Sequence, residues 1–243
     1  MIKILLLTDF SSGYSRNILR GVVKYAKEQG GWSFQRMPLY YRMVYGEEGV
    51  LEWAKQWKAS AIIALLKDVN IELLNNLHIP IIVQNYRDRH QYISNLTGNY
   101  FGTGVMAARF FINKGYRHFA YYGLKGSVWS RERADGYRDE IKKYDCPLYT
   151  FDDIPQDKEE WSYNLVELAQ WMEQLPKPIA LFACDDQFAL RIAETCNIYN
   201  IKVPDDIAIL GVDNDELLCN ISDPPLSSIT VDAVNGGYQA GKL

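Results

Sequence analysis

Runs of apolar residues that do not alternate with polar ones recur along this 243-residue chain, and a stretch of helical period follows most of them. "IKILLLTD" (2–9) is such a run. Lacking a polar face, it has the pattern of a parallel strand covered on both sides. The segment from about Ser15 to Gln29 puts Ile18, Leu19, Val22, Val23 and Ala26 on one helical face, and Gly30 and Gly31 end it. The same reasoning predicts strand 32–37, a helix near 47–57, strand 60–66, helix 70–77, strand 79–85 and helix 102–114, stopped by Gly115. The rhythm resumes with strand 118–123, helix 131–143, strand 147–151, helix 158–175, strand 178–184, helix 186–198 and strand 206–213. Such β/α alternation in two halves predicts an α/β fold of two doubly wound parallel-sheet lobes. Ligands of such sheets lie beyond the carboxyl ends of the strands, so a ligand cleft between the lobes is expected. The expected lobes are residues 1–114 with 232–243, and residues 115–231.

Composition narrows the function classes. With 48% hydrophobic and 23% charged residues, the chain has enough apolar material for a core, which argues against disorder. Its net charge is −4 and it has no Lys/Arg cluster, so a nucleic-acid contact is not expected within it. Cys146, Cys184, Cys196 and Cys219 form no CxxC pair and read as small buried hydrophobes of a reducing compartment. The apolar run in "MIKILLLTDF" is shorter than the roughly 7–15 residues of a secretory h-region, and no stretch reaches membrane-span length. A cytoplasmic location without membrane contact is therefore expected. The end, "TVDAVNGGYQAGKL", opens a helix near Asp232 and stops without a cap or turn, from which further chain downstream is expected.

Several strand ends carry acids. "ALFACDDQ" ends in Asp185 and Asp186, and "AILGVDND" in Asp213, Asn214 and Asp215. Asp185 has two readings, a ligand contact and the N-cap of helix 186–198. No strong helix pattern follows Asp213 at once, which favours ligand contact there. "DNDE" lacks the glycine and distal glutamate of a calcium loop, so no metal is expected. In "VWSRERADGYRDE" (128–140), Trp129 stands at a helix entry with Arg131 and Arg133 just inside. Most of this stretch reads as a solvated charged helix. An aromatic plane can nevertheless stack on the C–H face of a sugar ring, and an Arg fork can donate two parallel hydrogen bonds to neighbouring hydroxyls. The loop "DFSSGYSR" (9–16) is small and hydroxyl-bearing; it reads either as a ligand-approaching turn or as turn residues before an N-cap at Ser15.

Other chemistries find no support. "GTGVMA" (102–107) matches the dinucleotide fingerprint, but neither a buried strand before it nor an acid about twenty residues after it is present. His78, His90 and His118 are scattered, and no nucleophile elbow, P-loop or HExxH occurs. Binding without catalysis and without a cofactor is expected.

These positions together resemble the effector-binding domain of the lac-repressor/purine-repressor family, whose fold is that of the type I periplasmic binding proteins. "NYFGTGVMAARFFINKGYRHFAYYG" is similar to the family's DN-x-x-G-x-x-x-A-x-x-x-L-x-x-x-G-H-x-x-I segment, and "RADGY" to its R-x-x-G-[FY]. "VPDDIAILGVDND" with "DPPLSSIT" is similar to its P-x-D-[IV]-x-[IV]-x-G-[FY]-D-[DN] and P-x-L-T-T-[IV]. Within the family, "YSR", "FAYYGL", the W-x-x-x-R of Trp129 and Arg133, and "GVDNDELL" resemble most the regulators of xylose operons, which carry their helix-turn-helix motifs C-terminal to this domain.

The resemblance implies a cytoplasmic transcriptional regulator, not an enzyme. Its effector would be a monosaccharide, specifically a pentose such as D-xylose. It would be a homodimer that touches DNA only through a domain beyond residue 243. Lobe closure on the sugar would control DNA binding. It also implies a ligand set of Asp9, Tyr14, Arg16, Trp129, Arg133, Asp185, Asp213 and Asn214. Gly98 stands where the family has Asp, so the resemblance does not carry over to the 98–99 segment as a ligand contact. A transport-type sugar-binding protein shares the fold but needs a signal sequence.

Overall fold

The computed structural model describes residues 1–8, 10–65, 70–84, 89–153 and 165–243. These divide into two compact units, Met1–Gly98 with Asp232–Leu243, and Asn99–Val231.

The first unit is a five-stranded sheet of β1 (Ile2–Thr8), β2 (Trp32–Arg36), β3 (Ala61–Leu65), β4 (Ile81–Val83) and β5 (Ser94–Asn95), in the order β2-β1-β3-β4-β5. Every pairing in it is parallel. Its helices are α1 (Gly13–Gln29), α2 (Leu39–Trp57) and α3 (Ile71–Asn75). The second unit opens with α4 (Tyr100–Asn113), then β6 (Phe119–Leu124), α5 (Val128–Lys142), β7 (Leu148–Asp153), α6 (Leu165–Glu173), β8 (Ile179–Ala183), α7 (Asp186–Ile198), β9 (Ile207–Val212), α8 (Glu216–Ile221) and β10 (Ser227–Ile229). Its sheet runs β10-β9-β8-β6-β7, again parallel throughout. The chain then returns to the first unit as α9 (Ala233–Lys242).

β8 and β9 are buried at every residue, as unbroken apolar runs require of central parallel strands. The structure adds the short β5, α8 and β10 to the expected elements, and the other differences from the sequence reading fall at element ends. α1 begins earlier than expected because Ser12, not Ser15, is its N-cap; the Ser12 side chain accepts from the Ser15 N–H. α2 extends back to Leu39 across a kink at Gly46 (φ 62°, ψ −162°), and only its second half matches the expected helix 47–57. The first half exposes Tyr40, Met43 and Tyr45, so it carries no apolar stripe to read. Of the expected helix 158–175, the part before Leu165 lies outside the described residues. The division between units falls after Gly98 rather than after residue 114, because α4 packs along α5.

That packing is set by glycines. A Cβ on Gly104 would lie 2.0 Å from the Arg133 carbonyl oxygen, and one on Gly136 would lie 2.0 Å from the Phe101 carbonyl oxygen. The helices thus touch backbone to backbone, closer than any side chain allows. The "GTG" of α4 is explained by this contact and by Asn99, whose side chain accepts from the Gly102 N–H as the helix cap. The first unit repeats the device. Cβ atoms on Gly21 and Gly237 would each lie 1.9 Å from a carbonyl oxygen across the α1–α9 contact, those of Val234 and Ile18 respectively. Gly21 and Gly136 stand at the same remove from the caps Ser12 and Ser127, as Gly237 and Gly104 do from Asp232 and Asn99. The two units are one architecture built twice.

Adjacent glycines of α9 test this. Gly237→Ala is expected to cost about 1–3 kcal/mol through overpacking against backbone. Gly236→Ala, whose nearest neighbour would sit at 3.5 Å, is expected to be neutral or to gain up to about 1 kcal/mol of helix propensity. Urea midpoints of the two variants distinguish these outcomes.

Candidate functional site

The strand ends of the second unit converge on one guanidinium. Arg133 lies in α5, and its position follows from how that helix starts. Ser130 Oγ accepts from the Leu124 N–H (2.9 Å) at the end of β6, and the Tyr121 hydroxyl donates to the Ser130 carbonyl oxygen (2.7 Å). The first turn of α5 is thereby pinned to the sheet. Arg133, 4% exposed, donates through Nη1 to the Cys184 carbonyl oxygen, just past β8. Its Nη2 lies 3.5 Å from Asp213 Oδ1, just past β9. The cation also sits over two rings, 5.4 Å from the Trp129 centroid and 5.5 Å from that of Tyr100. Burial alone disfavours the charged guanidinium; Asp213, Tyr121 and Asp185 outweigh it and hold the charge more firmly than usual.

Asp213 is strained and electrostatically costly. Its φ is +102°, a region that non-glycine residues rarely adopt, and the next residue, Asn214, is also left-handed at φ +50°. Burial pushes the Asp213 carboxyl up to about 7; Arg133 pulls it down, while Asp185 and Asp186 push it further up. Asp185 is the N-cap of α7, its Oδ1 accepting from the Phe188 N–H (3.0 Å), so the capping reading describes its contact here. Burial raises its carboxyl too, against the Phe188 N–H and Arg133.

Two buried polar atoms of the second unit's α5 segment have no hydrogen-bond partner, Arg133 Nε and Ser127 Oγ. Ser127 is the N-cap of α5, yet its side chain caps nothing. Unpartnered buried polar atoms are few in native folds, and each calls for a reason.

Of the residues singled out from sequence, Trp129, Arg133, Asp185, Asp213 and Asn214 belong to this one unit. Trp129, expected as a platform for a sugar ring, is 7% exposed and presents a ring face to Arg133. Tyr14 and Arg16 lie in the first unit, in the first turn of α1. Arg16 Nη1 donates to the carbonyl oxygens of Phe10 (2.8 Å) and Ser11 (2.5 Å), so it braces its own loop. Asp9 lies outside the described residues.

Sequence reasoning passed over Asp186, Ser228 and Tyr100. Asp186 is 1% exposed and accepts from Ser228 Oγ (2.6 Å) and the Asp215 N–H (2.7 Å). Burial raises its carboxyl to about 6. A second acid beside a helix cap was the available signal. Tyr100 offered none, since a tyrosine after a cap is ordinary. Among the described residues, no group of three or more His, Cys, Asp or Glu could hold a metal ion, and no helix is long and apolar enough to cross a membrane.

Known proteins share this architecture. Residues 108–243 match the family described as periplasmic binding protein-like domain. The chain is 28% identical over 260 residues to the xylose operon regulatory protein of Escherichia coli (strain K12), spanning 99% of this chain and 62% of that protein. It is 27% identical over 250 residues to the xylose operon regulatory protein of Haemophilus influenzae, spanning 99% and 63%. A solved structure of a xylose-binding transcription activator is similar with a TM-score of 0.79 at 24% identity, over 99% of this chain and 61% of that one; at this identity the likeness is one of fold. The chain thus spans less than two thirds of the length of these curated relatives.

The raised Asp213 carboxyl fixes the sign of a pH effect. The unfolded chain releases this proton near 3.8 and the folded chain near 7, so the folded state binds more protons between them. The contribution of Asp213 to stability therefore falls as pH rises through that window. Asp213→Asn removes this slope. Between about pH 4.5 and pH 7.5 the parent's urea midpoint should drop relative to that of Asp213→Asn. Parallel pH profiles of the two would contradict the assignment.

Proposed function

The chain belongs to the family of periplasmic binding protein-like domains, and we propose that it is the sugar-sensing effector domain of a transcriptional regulator, with a pentose, D-xylose, as its effector. The observation that carries this reading is Arg133. One buried guanidinium, held at one strand end, faces a carboxylate at the next and lies over two aromatic rings. A neutral polyol needs this set: a fork of donors, an acceptor for hydrogen bonds from two hydroxyls, and apolar planes for C–H faces. The unpartnered Arg133 Nε and Ser127 Oγ add hydrogen-bonding capacity on the same helix segment. The xylose operon regulators among the relatives supply the choice of pentose.

Asp213 is the acceptor, Arg133 the donor, and Trp129 the apolar plane. Asp185 and Asn214, neighbours of the same strand ends, are assigned as further contacts. The sugar favours one of two states of the chain, and this population shift is the signal. A tenfold preference for one state is worth about 1.4 kcal/mol. DNA is contacted by another part of a longer, dimeric cytoplasmic regulator, which accords with the net charge of −4 here. Nothing in this role requires catalysis.

Calorimetric titration with D-xylose, against L-arabinose, D-ribose and D-glucose, tests the reading. D-xylose is expected to bind selectively, in the micromolar to millimolar range typical of about −4 to −8 kcal/mol. Binding of another sugar in its place would replace the effector, and binding of none would overturn the reading. Asp213→Ala and Arg133→Met should each weaken binding by roughly 1–3 kcal/mol, leaving a buried partner unpaired. The ionised carboxylate is the acceptor, so xylose affinity should strengthen as pH rises through about 7 and lose that dependence in Asp213→Asn.

A further inference from the structure

We propose that Asp186, which touches no effector in the reading above, is the positioning residue that fixes the direction of the Asp213 carboxylate. The inference rests on that reading for its functional consequence and on three observations for its geometry. First, the backbone N–H groups of Asp213, Asn214 and Asp215 each donate a hydrogen bond, and two of the three lead to Asp186. The Asp213 N–H donates to the Ile229 carbonyl oxygen (2.9 Å). The Asn214 N–H donates to Ser228 Oγ (2.9 Å), whose hydroxyl donates to Asp186 Oδ1 (2.6 Å). The Asp215 N–H donates to Asp186 Oδ2 (2.7 Å).

Second, the segment so held is the strained one. Two successive non-glycine residues with positive φ persist only where their surroundings over-determine them. With one carboxylate, Asp186 ties the start of α7 to the turn after β9 and, through Ser228, to β10. Third, Gly211 in β9 clears the space for that carboxylate. A Cβ there would lie 2.3 Å from Asp186 Oδ1 and 3.1 Å from Ala189 Cβ. The strand is thus shaped to admit Asp186.

The chain from α7 to effector has one order. Asp186 sets the turn, the turn sets the Asp213 side chain, and Asp213 meets Arg133. Neighbouring aspartates consequently do different work: Asp185 closes its own helix, and Asp186 reaches across to the next strand end.

The test uses the whole 243-residue chain and two readouts. Amide hydrogen exchange at Asn214 and Asp215 reports the anchor, and calorimetry with D-xylose reports its consequence. Asp186→Ala should raise exchange at both amides at least tenfold while β8 and β9 keep their protection, and should weaken xylose about tenfold. Asp186→Asn keeps an acceptor for the Asp215 N–H and a polar partner for Ser228, and should restore most of the affinity. A residue needed only for stability would show no such rescue at temperatures where all variants are folded. Should Asp186→Ala fail to fold, Ser228→Ala, which removes one branch alone, should raise exchange at Asn214 and spare Asp215. Unchanged exchange in these variants overturns the anchor. Raised exchange with unchanged xylose affinity overturns the positioning role. A parent that binds xylose, arabinose, ribose and glucose equally poorly overturns the effector reading instead, and exchange at Asp215 then decides the anchor by itself.

Discussion

A guanidinium buried to 4% exposure must be compensated, and the second unit is arranged around that requirement. Arg133 draws on a backbone carbonyl from one strand end, a carboxylate from the next and two aromatic faces. Removing one member of such a buried pair typically costs about 3–5 kcal/mol, because the other charge stays behind. Asp213 is thus constrained from two sides. Arg133 needs it ionised, while burial and the neighbouring acids press it towards the neutral form. A ligand that donates hydroxyls to Asp213 and accepts from Arg133 relieves both.

The duplicated architecture shows what is scaffold and what is site. In each unit a helix after the first strand packs backbone to backbone on a second helix, with a glycine from each at the contact. The carbonyl pressed against Gly104 belongs to Arg133, and the one pressed against Gly237 belongs to Ile18. The same place in the same packing carries a buried cation in one unit and a buried aliphatic side chain in the other. The glycine contact is therefore independent of the charge. It fixes the backbone that aims residue 133, and the chemistry was added to one copy.

Much of the fold was legible in the sequence. Central strands read clearly because full burial on both faces leaves an unbroken apolar run, as in β8 and β9. Asp213 stood out as an acid at the end of an apolar strand with no helix pattern at once after it, and Arg133 as a forked donor beside Trp129 at a helix entry. What did not read was short or exposed. β5, β10 and α8 are too brief for periodicity, and the first half of α2 has no buried stripe. Asp186 was hidden for a different reason. Its partners, the Asp215 N–H and Ser228 Oγ, lie far along the chain, and nothing local to "CDDQ" separates an acid that caps from one that reaches. The matched cap-to-glycine spacings of the two units did not stand out in the sequence, because their meaning depends on which helices meet.

The acids at the strand ends divide by the donors each finds. Asp185 and Asp215 face N–H groups at the starts of α7 and α8, and become caps. Asp186 finds a hydroxyl and a backbone N–H from other elements, and becomes an anchor. Asp213 alone faces a side-chain cation at 3.5 Å, long for a charge-assisted bond that prefers roughly 2.7–2.9 Å. It also carries the positive φ and the carboxyl raised to about 7. Strain, a long ion pair and a disfavoured charge coincide on one residue, while its neighbours spend theirs on close contacts. Residual cost concentrated in this way marks where a fold has been bent to a purpose other than its own stability.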